Sequence, residues 1–173
     1  MTSDTDRRPA EERFREVFAH LRAVTAYARR RGSRDADGIA AEVMSIAWRR
    51  LADVPRDDSL PWLYATARNL VLAERRAASR AAAGAPEASV PAPELDELDP
   101  QLDRAFRSLC PTDREALLLV AWEDLTPSQA ARALAMKPTA FRVRLLRARR
   151  RLRDALDEER RPAPLVQFDV EGT

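Results

Sequence analysis

Residues 111–156 read PTDREALLLVAWEDLTPSQAARALAMKPTAFRVRLLRARRRLRDAL. Their pattern predicts a long helix, a short middle helix over about residues 127–134, a tight turn at residues 135–138 and then a basic helix. This succession is the helix-turn-helix pattern, whose last helix enters the major groove of DNA. The stretch therefore predicts the fold of the C-terminal half of the chain and a DNA-binding function for it.

The helix starts in this stretch carry capping residues. Thr112 with Glu115 has the spacing of a capping box, in which each side chain binds the backbone N–H group of the other residue. Thr126 with Gln129 has the same spacing, and Thr139 can begin the basic helix. We therefore expect three separate helices here.

The basic helix has one apolar and one cationic face. Phe141, Leu145, Ala148 and Leu152 recur at helical spacing and predict the buried stripe. The remaining surface is rich in arginine, with a few apolar residues: Arg142, Val143, Arg144, Leu146, Arg147, Arg149, Arg150 and Arg151. Arginine can bind phosphate or guanine, and the apolar residues can meet thymine methyl groups. A solvated helix is the alternative, whereas a stripe of under three heptads argues against a coiled coil.

Composition favours helix throughout the chain. Of 173 residues, 45% are hydrophobic and only four are glycine, and alanine is far commoner than valine or isoleucine. Thirty basic and 28 acidic residues give a net charge of +2, so affinity for nucleic acid depends on local segregation of charge. Lys137 is the only lysine, a bias that the base composition of a genome explains equally well. We expect an all-α protein of two small helical domains joined by a flexible linker.

The residues needed for most enzyme classes are scarce. Cys110 and His20 are the only cysteine and histidine, so one chain cannot build a disulfide or a zinc site. The sequence has no glycine-rich phosphate loop, and it places no catalytic constellation in one region. We therefore expect no enzyme activity and no cofactor. The N-terminus lacks a signal peptide and no apolar run is long enough to cross a membrane, so we expect a cytoplasmic protein without membrane insertion.

Residues 81–98, AAAGAPEASVPAPELDEL, separate the two halves. Proline, alanine and acidic residues replace the helical periodicity, which indicates a linker, although a surface loop would have the same composition. We predict an N-terminal domain over residues 10–80, a second domain over 99–157 and a C-terminal tail over 158–173.

The N-terminal half predicts three or four helices. Residues 11–30 carry an apolar stripe at helical spacing, and residues 35–51 carry another. In the third helix, Leu63, Ala67 and Leu70 form the expected buried stripe. Its flanks carry tyrosine, arginine and asparagine: Tyr64, Arg68, Asn69, Arg75 and Arg76. Interleaved aromatic and cationic residues suit single-stranded nucleic acid, but a solvated helix face looks similar.

Taken together, the motifs resemble bacterial RNA polymerase sigma factors of the sigma-70 family, group IV, the extracytoplasmic function (ECF) type. The segment DADGIAAEVMSIAWRRL (residues 35–51) resembles region 2.2, and PWLYATARNLV (61–71) resembles regions 2.3 and 2.4. Residues 113–152 resemble region 4. The resemblance covers roughly residues 10–157 and rests on the order and spacing of the motifs.

This resemblance implies an alternative sigma factor, which directs core RNA polymerase to promoters. It implies contacts with the beta-prime clamp and beta flap of core RNA polymerase and with promoter DNA, and it makes an anti-sigma factor a plausible further partner. The candidate polymerase-binding residues are Asp35, Asp37, Glu42, Met44, Ser45, Trp48 and Arg49. The candidates for the melted minus-10 element are Arg56, Asp57, Asp58, Trp62, Arg68, Asn69, Arg75 and Arg76. Those for the duplex minus-35 element are Thr139, Arg142, Val143, Arg144, Leu146, Arg147 and Arg150.

Two other readings stay open at this point. A helix-turn-helix repressor or activator would share the C-terminal half but would leave the PWLYATARN helix unexplained. An adaptor whose helices make only protein contacts would bind independently of promoter sequence. The chain also departs from the sigma pattern at Gly38 and Ala41, where polar residues are usual.

Overall fold

The computed structural model describes residues 4–81 and 99–160. Within these ranges the chain forms eight helices and no strand: α1 (Asp4–Phe18), α2 (Leu21–Arg30), α3 (Ala36–Arg49), α4 (Leu60–Ala81), α5 (Pro100–Ser108), α6 (Pro111–Ala121), α7 (Pro127–Ala133) and α8 (Pro138–Glu159). The prediction of an all-α fold is confirmed. Nearly all of the predicted linker and most of the predicted tail, at residues 82–98 and 161–173, lie outside the described residues.

The stripe over residues 11–30 belongs to two helices, not to one. A turn follows Phe18, where the N–H group of His20 donates to the carbonyl of Val17 at 3.1 Å, and α2 begins at Leu21. The turn redirects the chain, so that α1 packs on α3 while α2 packs between α3 and α4. Periodicity alone did not reveal this break, because both helices keep an apolar face toward the same core.

In the C-terminal half, α8 packs against α5, α6 and α7. The predicted stripe is confirmed, since Phe141, Leu145 and Ala148 are buried and Leu152 is half-buried against the same core. The middle helix ends at Ala133, and the turn into α8 passes through Ala135 in the left-handed region, with φ 52°.

The two predicted capping boxes have different outcomes. Gln129 donates its backbone N–H to the hydroxyl of Thr126 at 3.3 Å and accepts from the backbone N–H of Thr126 at 2.8 Å, so this box is confirmed. The box of Thr112 is wrong, because the cap position lies two residues earlier, at Cys110, and α6 begins at Pro111 without a side-chain cap. The expected start of α8 is also one residue late, since the helix begins at Pro138.

The two halves pack against each other in the described structure. Helix α4 contacts α7, and most of the buried apolar side chains of both halves belong to one continuous cluster. None of the helices within 4–81 and 99–160 is long and apolar enough to cross a membrane.

Candidate nucleic-acid interface

The exposed side of α8 is cationic and carries two isolated apolar residues. Val143 is 48% and Leu146 is 70% exposed, although their helix neighbours on the other face are buried. Arg142, Arg147 and Arg150 are exposed on the same side of the helix. Apolar side chains left in solvent beside arginines suit a major groove, where thymine methyl groups lie beside phosphates and guanine edges. We call this surface the α8 arc.

A groove of about 640 Å³ runs beside the α8 arc. It is lined by Asp113, Met136, Thr139, Ala140, Val143, Arg144, Arg147 and Arg151. Four of the seven minus-35 candidates thus meet along one groove. The other three, Arg142, Leu146 and Arg150, are exposed but do not line it.

A buried carboxylate divides the arginines of α8 into two groups. Asp113 on α6 is 1% exposed; it accepts from Arg144 at 3.1 Å and forms a second ion pair with Arg151. Arg144 is therefore engaged with α6, and its buried Nε atom has no partner. Sequence reasoning missed Asp113, because the residues that it pairs with lie 31 and 38 positions away. This carboxylate fixes α8 on α6 and leaves the α8 arc free.

The structure separates the minus-10 candidates into exposed and covered residues. Arg56, Asp57, Asn69 and Arg76 are exposed around the start and one flank of α4. Asp58 instead forms an ion pair with Arg132 of α7 and accepts from the side chain of Gln129 at 3.0 Å. Trp62 is half-buried, with the guanidinium of Arg50 6.0 Å from its ring centroid.

The two remaining candidates, Arg68 and Arg75, line a cavity of about 90 Å³ between the halves. Pro111, Thr112 and Glu115 of α6 form its other side. Arg75 donates to the backbone carbonyl of Arg31, and burial lowers the pKa of its guanidinium. Helix α6 therefore covers part of the α4 surface that would face DNA.

Four charged residues pair across the boundary between the halves, and we call them the joint cluster. They are Arg30 and Arg31 at the end of α2, Glu115 on α6 and Glu123 just after α6. Arg30 donates through both Nε and Nη2 to Glu123, at 3.3 and 2.5 Å. Arg31 pairs with Glu123 at 2.5 Å and with Glu115 at 3.1 Å. The side chains of Arg31 and Glu123 are 7% and 1% exposed, so these ion pairs are buried.

Two tyrosines lie beneath the joint cluster. The rings of Tyr27 and Tyr64 stack at 4.6 Å, and the guanidinium of Arg31 lies 3.6 Å from the Tyr27 centroid. The Tyr27 hydroxyl donates to Glu115 at 2.8 Å. Burial, followed by the nearby glutamate charges, raises the pKa of both tyrosines. Burial alone would lower the pKa of Arg31, but the charge of Glu115 and its neighbours raises it, so the guanidinium stays charged.

The polymerase-binding candidates on α3 also differ in accessibility. Asp35 caps the helix by accepting from the N–H group of Gly38 at 2.8 Å. A Cβ at position 38 would lie 2.1 Å from an Asp35 oxygen, which gives a structural reason for the glycine. Asp37 is exposed at the first turn, and Glu42 pairs with Arg49 at 3.0 Å on the surface.

The remaining candidates on α3 lie toward its end. Met44 is 3% exposed and belongs to the core, so its side chain is not available to a partner in this conformation. Ser45 is half-buried. Trp48 is 44% exposed and packs edge-on against Phe14 of α1 at 5.0 Å, next to the exposed Phe18. Sequence reasoning did not join Phe14 and Phe18 to Trp48, because they lie on different helices.

Metal binding finds no support in the described part of the chain, where no group of three or more His, Cys, Asp or Glu side chains could hold an ion.

Comparisons with known proteins agree with this geometry. Residues 100–152, which contain α5 to most of α8, match the family model of sigma-70, region 4. No curated protein matches the sequence. The fold is similar to that of the sigma factor RpoE in its co-crystal structure with the anti-sigma factor NepR from Bartonella quintana. That match has 22% identity and a TM-score of 0.62, and it covers 83% of this chain and 95% of RpoE.

CnrH, solved in complex with the cytosolic domain of CnrY, is similar as well. The match has 24% identity and a TM-score of 0.57, and it covers 84% of this chain and 88% of CnrH. Both matches extend over the two halves, whereas the family model is confined to the second. Residues 100–152 therefore match sigma-70 region 4, and the chain as a whole has a fold similar to that of the sigma factor RpoE and of CnrH, which agrees with the resemblance found in the sequence.

Proposed function

We propose that the protein is an alternative sigma factor, which binds core RNA polymerase and directs it to promoters through their minus-10 and minus-35 elements. One observation carries the proposal: the exposed α8 arc lies within residues that match sigma-70 region 4. The similar fold of RpoE and CnrH over both halves supports it further. The role needs no catalytic group, cofactor or metal from this chain.

In this proposal the α8 arc reads the minus-35 element as duplex DNA. Arg147 lies in the groove beside the arc and Arg142 and Arg150 lie on its exposed side, so they supply the phosphate and guanine contacts. Val143 and Leu146 supply apolar contacts to thymine methyl groups. Thr139 is exposed at the start of the helix and contacts the DNA backbone, whereas Arg144 contributes through its pair with Asp113.

The N-terminal half holds the melted minus-10 element and the polymerase. The exposed residues Arg56, Asp57, Asn69 and Arg76 form the accessible part of the strand-binding surface. Asp58, Arg68 and Arg75 join them once α6 and α7 move away. Trp62 supports the loop before α4. Capture of unstacked bases offsets an unstacking cost of a few kcal/mol.

Polymerase binding is assigned to the exposed surface of α3. Trp48 is the main apolar anchor, with Asp37, Glu42, Ser45 and Arg49 around it and Asp35 holding the helix start. The beta-prime clamp is the expected partner of this surface, and the beta flap is that of residues 99–157. An anti-sigma factor is the further partner of this proposal, which is supported by the complexes of RpoE with the anti-sigma factor NepR and of CnrH with the cytosolic domain of CnrY. Since core polymerase and promoter DNA are cytoplasmic, the proposal includes a cytoplasmic location for the protein.

The test is reconstitution with bacterial core RNA polymerase. A one-to-one complex in size-exclusion chromatography that starts transcription at defined sites in a promoter library is the expected result. Trp48→Ala should weaken complex formation, whereas Asp53→Asn is the control, since Asp53 is an exposed residue of the same half to which no polymerase contact is assigned. Duplex binding without polymerase association would instead identify a helix-turn-helix repressor or activator.

A further inference from the structure

The joint cluster contains arginines to which the resemblance assigns no role. Arg30 and Arg31 end α2, and Arg75 reaches them from α4 through its bond to the Arg31 carbonyl. The carboxylates that pair with Arg30 and Arg31 both belong to the C-terminal half. The N-terminal half therefore presents a strongly cationic surface at this point, which the acidic side chains of the other half neutralise.

The geometry of the pairing is that of an oxyanion site. Arg30 donates hydrogen bonds from Nε and Nη2 to the two carboxylate oxygens of Glu123, and Arg31 donates from Nε and Nη2 to Glu115. The guanidinium group offers the same planar pair of donors to a carboxylate and to a phosphate. Glu115 and Glu123 thus occupy positions that two phosphate groups of a nucleic acid could take.

The surroundings of these arginines suit a single strand. Tyr27 and Tyr64 form a stacked aromatic pair directly below Arg31. The Nε atom of Arg75 is buried and has no hydrogen-bond partner, so a donor remains unused while the halves are closed. Both rings are buried and the faces of the Tyr27 ring are occupied by Tyr64 and Arg31, so the contact expected here is that of a cationic groove with the phosphates of a single strand and not base stacking.

We propose that Arg30, Arg31 and Arg75 form a backbone-phosphate site for the single-stranded part of the promoter, and that Glu115 and Glu123 occupy this site while the halves are closed. The inference rests on the proposed function and adds residues to its minus-10 surface. Arg68 lines the same cavity, which joins the new site to the predicted one. Opening the joint exposes both together.

An exchange of this kind is energetically accessible. The cost of desolvating a buried ion pair cancels much of its Coulomb attraction, so replacing one oxyanion partner by another need not carry a large penalty. Glu123 makes its side-chain hydrogen bonds to Arg30 and Arg31, both in the other half. Its removal should therefore weaken the joint without unfolding the C-terminal half.

The test compares full-length variants for binding to a fluorescein-labelled single-stranded oligodeoxynucleotide, without polymerase. The double variant Glu115→Gln, Glu123→Gln removes the competing charges, and Glu123→Gln alone is the milder form. The apparent affinity of a masked site is the intrinsic affinity multiplied by the fraction of molecules in which the joint is open. If about one molecule in ten is open, removing the mask should therefore tighten binding about tenfold. The salt dependence should steepen by about 0.7 for each additional phosphate that the arginines neutralise.

The matched control is Asp53→Asn, Glu159→Gln, which changes the net charge equally at two surface ion pairs away from the joint. Adding Arg30→Gln to the double variant should abolish its increase in affinity. No increase over the control, or an increase that survives Arg30→Gln, would overturn the inference. Binding of the native chain to core polymerase is measured separately. If that complex forms but the double variant gains no affinity for the oligodeoxynucleotide, only this inference is overturned. If the native chain does not form the complex, the proposed function is overturned.

Discussion

The joint cluster and the α8 arc use the same residue type in opposite environments. Arg31 is 7% exposed and contacts two carboxylates, whereas Arg150 is 81% exposed and lies 4.0 Å from one surface aspartate. The arginines of the joint are neutralised by acids from a distant part of the chain. Those of the α8 arc lie in solvent, where cations can attract a nucleic acid over a distance set by the salt concentration.

This comparison teaches that the role of an arginine depends on the element that faces it. A helical wheel orders the arginines of α8 by direction, yet Arg144 and Arg151 are bound to buried Asp113 while Arg142 and Arg147 are not. Which arginines are available to DNA therefore depends on tertiary packing, and substitutions can test this with matched neighbours.

The largest expected effect is a difference in stability between variants of two adjacent leucines of α8. Leu145→Ala creates a cavity in the core and should destabilise the C-terminal half by about 2–5 kcal/mol. Leu146→Ala changes a side chain that is 70% exposed and should leave unfolding nearly unaltered while lowering affinity for the minus-35 duplex. Urea denaturation followed by circular dichroism measures the stability of both variants, and fluorescence anisotropy measures their duplex binding. Equal destabilisation by the two variants would mean that the α8 arc is not the exposed side.

Asp113 should contribute more to stability than Asp154, a surface aspartate of α8 that pairs with Arg150 of the same helix. Asp113→Asn removes the charge that holds Arg144 and Arg151, and it should cost about 1.5–3 kcal/mol of stability. Asp154→Asn is the control, because its ion pair with Arg150 is exposed and long and should contribute almost nothing. Thermal unfolding of the two variants provides the measurement. If both melt like the native chain, the buried carboxylate does not anchor α8.

The third prediction contrasts the two arginine sites directly. Arg147→Ala should weaken minus-35 duplex binding by about 1–3 kcal/mol and reduce the salt slope by about 1, because it removes one cation of the α8 arc. Arg30→Gln removes a cation from the joint and should leave duplex binding unchanged. Fluorescence anisotropy across a salt series distinguishes them. A similar loss in both variants would show that the joint also contacts duplex DNA.

Local patterns predicted the parts of the fold in which partners are close in sequence. The Thr126 capping box spans three residues, and the stripe from Phe141 to Ala148 spans two turns. Both were readable because the interactions follow from helical geometry. The same reasoning missed the turn after Phe18, where the apolar spacing continues through a change of direction.

The joint cluster was not predictable from such patterns. Arg31 and Glu115 lie 84 positions apart, and Arg30 and Glu123 lie 93 apart, with the linker between them. Neither glutamate stands out in sequence, since Glu115 has the spacing of a capping residue. Likewise, Met44 was a polymerase-binding candidate, but packing of α2 and α4 against α3 buries it. The candidate site residues as a set stay predictions.

The smallest effect tests why Glu115 is available to the joint at all. Had the Thr112 box formed, Glu115 would bind the start of its own helix; instead it accepts from Tyr27 and Arg31. Thr112→Ala should therefore leave stability unchanged, whereas Thr126→Ala should cost about 1 kcal/mol because it removes a formed cap. Urea denaturation of the two variants in parallel measures their free energies of unfolding; both threonines are exposed. If Thr112→Ala lowers the free energy of unfolding as much as Thr126→Ala does, Glu115 caps its own helix in solution. Among the described residues, Glu123 would then be the one carboxylate that pairs with the arginines of the joint cluster.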